Sequence, residues 1–173
     1  MGESVHWHTW LKYSHLVRKS QIAIEYSYRL RCRIPGKWVF WVHVSNAAKA
    51  EQAYRDIATK VDLPGHDDPK VNILRLVLNW LSDEQNGTWL MILDNADDSG
   101  VFIDQNTSNP SYRSDSVYPG PCLMNFVPQV AHGAVLITSR NRTAAYALVG
   151  DYKNIIKVDP LDKDKSLDLM KAN

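Results

Sequence analysis

From Lys19 onward, stretches with apolar residues at helical spacing alternate with short runs that are apolar throughout. The spacing predicts a helix over residues 19–31, with Ile22, Ala23, Tyr26 and Leu30 on one face. "WVFWVHV" (38–44) is β-branched and aromatic between Pro35-Gly36 and Ser45-Asn46, and it predicts a strand. Ser45 or Asn46 can cap a following helix that carries Ala50, Ala53, Tyr54, Ile57, Ala58 and Val61 on its face. "DLPGHDDP" (62–69) is a turn cluster, and residues 70–83 predict a further helix facing inward through Leu74, Val77, Leu78 and Leu81. "TWLMILD" (88–94) and "GAVLITS" (133–139) read as strands buried on both faces. Between them, residues 99–122 are rich in Ser, Asn, Asp, Pro and Gly and read as a long mobile loop. A helix over 141–149, a strand "NIIKV" (154–158) and the start of a last helix in "LDKDKSLDLM" complete the pattern. The alternation predicts an α/β fold, a parallel sheet flanked by helices in three layers. In such sheets ligands bind at the carboxyl ends of the strands.

Composition changes this picture little. The 173 residues suffice for one domain with a sizeable core, and 45% hydrophobic with 23% charged residues is ordinary for a globular chain. A net charge of +1 gives no global field toward nucleic acid or a membrane. Cys32 and Cys122 form no disulfide framework, and the N-terminus shows no apolar signal region, so a cytoplasmic setting is expected. The sequons at Asn86, Asn106 and Asn141 are then chance matches.

Charge placement is more informative. Lys19-Ser20 opens a helix, Asp94 ends one buried strand, and Arg140 follows another. Phosphoryl chemistry of the P-loop kind needs a Lys on the phosphates, a hydroxyl on magnesium and a carboxylate on a neighbouring strand for the metal's water shell. Lys19, Ser20 and Asp94 supply these in order, and Arg140 adds a cation suited to a terminal phosphate.

The segments "KSQIAIEYSYRL", "WVFWVHVSNAAKAEQAYRDIA", "WLMILDNADD", "GAVLITSRNRTAAYALVG" and "IIKVDPLDKDKSLDLM" resemble the NB-ARC domains of fungal NLR-like proteins, P-loop ATPases of the STAND class. The likeness covers roughly residues 19–173, and "LMILDNADD" and "LITSRNR" are its most specific parts. It implies a P-loop NTPase-like fold that binds ADP at rest, exchanges it for ATP with magnesium, and thereby switches self-association or contacts with protein partners. It would give Lys19 the β/γ-phosphates, Gln21 a place flanking them, Ser20 and Asp94 the metal, and Arg140 the γ-phosphate.

The sequence also departs from that family. In G-x-x-x-x-G-K-[ST], Tyr13 and Arg18 occupy the two glycine positions. Copying the glycine backbone there costs on the order of 1–3 kcal/mol per residue. "SVHWHTWLKY" alternates Val5, Trp7, Leu11 and Tyr13 with His6, His8 and Lys12, a half-exposed pattern where the family has a central strand. Residues 1–18 are therefore expected to form a divergent segment joined to a partial core at 19–173. Asn95 stands where many relatives have a second acid to activate water, and slow or absent hydrolysis is expected, with Asp97 or Asp98 as substitutes. The alternative function is a degenerate scaffold that contacts only proteins. Arg29, Arg31, Arg33 and Lys37 near Trp38 and Trp41 could hold a nucleic acid strand, but they fit better as the solvated end of a helix. His6-x-His8 is too little for a structural metal.

Overall fold

The computed structural model describes residues 10–12, 19–97 and 123–158. Strand β1 is Trp10–Lys12, helix α1 Lys19–Arg33, β2 Trp38–His43, α2 Ala47–Lys60, α3 Ile73–Ser82, β3 Trp89–Asp94, β4 Gly133–Thr138, α4 Arg142–Val149 and β5 Ile155–Lys157. The strands form one sheet in the order β2-β3-β4-β1-β5, and every neighbouring pair is parallel. The expected parallel sheet flanked by helices is therefore present, an α/β fold consistent with a P-loop NTPase-like domain. The expected loop at 99–122 and the last helix in "LDKDKSLDLM" lie outside the described residues.

Side chains alternate along each strand, so parity decides which layer each residue meets. Phe40, Val42, Trp89, Met91, Leu93, Val135 and Ile137 share one face and pack with Tyr54, Ile57, Val77, Leu81, Ala145 and Leu148 from α2, α3 and α4. The opposite parity, Leu90, Ile92 and Leu136, meets Ala23 of α1. Asn46 caps α2 and Asn72 caps α3, each through its side-chain oxygen.

The expected faces of helices α1 and α3 need correction, and pairing sets the place of β1 in the sheet. Within the stretch read as half-exposed, β1 lies between β4 and β5, with Leu11 opposite Thr138 on one side and Ile156 on the other. Helix α1 buries only Ala23 and Lys19, while Ile22 and Tyr26 are exposed. Ala23 packs on the sheet and Leu30 lies half-buried against the same cluster, while Ile22 and Tyr26 turn outward. Helix α3 faces inward through Ile73, Val77 and Leu81. Val77 and Leu81 lie on the expected face and Leu74 packs half-buried beside them; Ile73, not expected there, is buried with them. Among the described residues, no helix is long and apolar enough to cross a membrane.

Candidate functional site

The parity that sends Leu90, Ile92 and Leu136 toward α1 ends each strand in a polar residue on that same face. On β2 the series Val39, Trp41 ends in His43; on β3 it ends in Asp94; on β4 it ends in Thr138. Register places His43 directly opposite Asp94, and the pairing of Leu93 with Ile137 carries Asp94 alongside Thr138. A polar row thus crosses the carboxyl edge of the sheet. The start of α1 lies over it.

Ser20, in the first turn of α1, donates its hydroxyl hydrogen to Asp94 Oδ1 at 2.8 Å. Thr138 donates to the same oxygen at 2.6 Å and accepts the Asn95 backbone N–H at 3.0 Å. His43 Nδ1 stands 3.6 Å from Asp94 Oδ2. Asp94 is 7% exposed. A carboxylate this buried needs such donors, and the positive end of α1 adds to them.

Asn95 then takes φ = 64°, a left-handed conformation that Asn tolerates better than most side chains. This turn ends β3 and brings Ala96 N–H onto the Thr138 carbonyl at 2.8 Å. It aims Asp97 at the loop after β4. There Asp97 Oδ2 accepts from Arg140 Nε at 2.6 Å, and Oδ1 accepts from the Arg140 backbone N–H and from Ser139 Oγ. Asn141 closes the corner by capping α4, its side chain accepting from Thr143 and Ala144. Asp97, considered above as a base, is thus engaged with Arg140. Asp98 lies outside the described residues.

Lys19 is 8% exposed. Burial pushes its ammonium below the ordinary value of 10.5; the Asp97 carboxylate opposes that shift and the Arg140 guanidinium adds to it. Lys19, Asp97 and Arg140 therefore share one electrostatic neighbourhood. Gln21 is exposed and takes no part in this hydrogen-bonded set among the described residues. Lys19, Ser20, Asp94 and Arg140 are brought to one edge; Gln21 is not brought in.

The donors suit a hard cation. Ser20 spends its proton on Asp94, so its oxygen lone pairs remain to face a metal. Magnesium keeps several waters and needs only one or two carboxylates besides phosphate oxygens. Ser20 and Asp94 fit that demand. Sequence reasoning missed His43 and Thr138. Their signal was positional: each is the one polar residue closing the α1-facing series of an otherwise apolar strand.

No protein-family model matches the chain. It is similar to a nucleotide-binding leucine-rich repeat (NLR)-like protein of Hyaloscypha variabilis, with 29% identity over 160 residues, 91% of this chain. The chain spans 15% of that relative's length. The similarity supports a relationship to NLR-like signalling proteins.

Proposed function

We propose that this chain is the nucleotide-holding core of an NLR-like signalling protein, of the NB-ARC kind, taking ADP or ATP with magnesium at the carboxyl edge of its sheet. The observation that carries the reading is the 2.8 Å bond from Ser20 to Asp94, with Lys19 beside Ser20 in the chain and in electrostatic contact with Arg140. Lys19 would neutralise the β- and γ-phosphates, and their charge would offset the cost of burying its ammonium. Ser20 would ligate magnesium directly. Asp94, held by Thr138, would orient the metal's water shell. Arg140, on the next strand end, would meet a terminal phosphate.

Two features make the expected binding weak and turnover slow. Tyr13 and Arg18 replace the glycines whose backbone would wrap the phosphates. Asn95 offers an amide where water activation needs an acceptor, and its backbone is committed to the turn that ends β3. The relative's name describes nucleotide binding for that protein, and its similarity to this chain supports the same ligand here.

The deciding experiment titrates fluorescent ADP, with magnesium, into the purified chain, with Lys19→Ala as control. Micromolar binding that the control loses is expected. A folded chain that binds no nucleotide would overturn the reading and leave the alternative, a degenerate scaffold that contacts only proteins.

A further inference from the structure

The nucleotide reading leaves Asp97 without work on phosphate or metal, yet donors converge on its carboxylate from Ser139, from the Arg140 backbone and from the Arg140 side chain. We propose that Asp97 is a positioning residue which, by holding the Arg140 guanidinium at its Nε edge, sets the preference of the site for a nucleoside triphosphate over a diphosphate. The proposal rests on the nucleotide reading above and assigns the residue that makes the site sensitive to the length of the phosphate chain.

A guanidinium carries five N–H donors in a rigid fork. Asp97 Oδ2 takes the Nε donor at 2.6 Å, which orients the plane and leaves the two terminal nitrogens for an anion. The backbone N–H of Arg140 is anchored on the other oxygen of the same carboxylate, so both ends of the residue are fixed. This matters because the Arg140 side chain is 69% exposed while that of Asp97 is only 21% exposed. An exposed arginine without an anchor would have to be immobilised at the moment of binding, and affinity falls by that cost. Asp97 fixes it beforehand.

Discrimination follows from where the groups sit. Lys19 and Ser20 belong to the start of α1 and serve the β-phosphate that di- and triphosphates share, with Lys19 reaching the γ-phosphate as well. Arg140 follows β4 and serves the additional phosphate. Loss of its anchor should weaken triphosphate binding and spare diphosphate binding. A role limited to fastening the Ser139–Asn141 corner to β3 would weaken both together.

The test measures Kd values for fluorescent ADP and fluorescent ATP, both with magnesium, on the full chain and on Asp97→Ala, Arg140→Ala and the double variant. Expected is a drop of about tenfold in the ATP-over-ADP preference for Asp97→Ala, the scale of one hydrogen bond to a charged group. Arg140→Ala should drop comparably, and the double variant should lose no more than Arg140→Ala alone. If Asp97→Ala does not fold by circular dichroism, Asp97→Asn replaces it; it keeps an acceptor, removes the charge, and should narrow the preference less. An equal loss for both nucleotides, or a preference that is unchanged or increased, overturns the proposal while the nucleotide reading stands. A parent chain that binds neither nucleotide overturns both, a different result from the first.

Discussion

Lys19 illustrates a residue placed against its own electrostatic interest. It is buried at the positive end of a helix, and desolvation depresses its pKa below 10.5. Between the folded-state value and 10.5 the unfolded chain holds more protons than the folded one, so stability gains as pH rises through that window. At neutral pH the cost is fully present. Replacing Lys19 with Met keeps most of the volume and removes a cation from the first turn, a gain of about 0.3–1 kcal/mol from the dipole alone. Urea unfolding at pH 7 should therefore show Lys19→Met more stable than the parent, with the difference shrinking as pH is raised toward 10.5. A less stable variant at pH 7 would contradict this account. A side chain retained at such a cost is understandable where an anion visits it, and the same substitution should abolish ADP binding.

Among the elements, the strands show how much could be read beforehand and where reading stopped. Their existence and type were legible because "WVFWVHV", "TWLMILD" and "GAVLITS" carry apolar side chains on both parities. The same richness hid the site. A run apolar on both faces gives no clue to which face its last residue joins, so Asp94 was visible as a strand end but its companions His43 and Thr138 were not. Pairing decides that, and pairing between residues more than forty positions apart cannot be seen in either segment alone. The interior place of β1 was illegible for the same reason. Close approach is another pairing effect. A Cβ on Gly133 would lie 2.1 Å from Cζ2 of Trp89, the residue opposite it in the β3–β4 register. The indole cannot swing aside freely, because Nε1–H donates to the Leu81 carbonyl at 2.8 Å. Gly133→Ala should cost about 1–3 kcal/mol in urea unfolding. In a Trp89→Leu background, itself destabilised, the same change should cost clearly less. Equal costs in both backgrounds would mean that the indole is not the obstacle.

At the scale of the whole molecule, the two faces of the sheet divide stability from function. The α2–α3–α4 face holds the larger apolar cluster, and the α1 face ends in the polar row. Tyr54, like Trp89, carries a polar group into the larger core. Fully buried on α2, it donates its hydroxyl hydrogen to the Phe126 carbonyl at 3.0 Å and so ties the helix layer to the segment that leads into β4. Burial pushes its pKa up from 10.0. The unfolded chain releases this proton above pH 10 while the folded chain keeps it, so the folded state loses stability as pH climbs beyond 10. One such proton contributes a slope of about 1.4 kcal/mol per pH unit. Tyr54→Phe should lose about 1–2 kcal/mol at neutral pH, because the Phe126 carbonyl is left without its donor. Above pH 10 the variant should decline less steeply than the parent, so the two unfolding curves approach each other. Denaturant midpoints collected from pH 7 to 11 would decide it: a gap that stays constant or widens above pH 10 would show that Tyr54 ionises as readily in the folded chain as in the unfolded one.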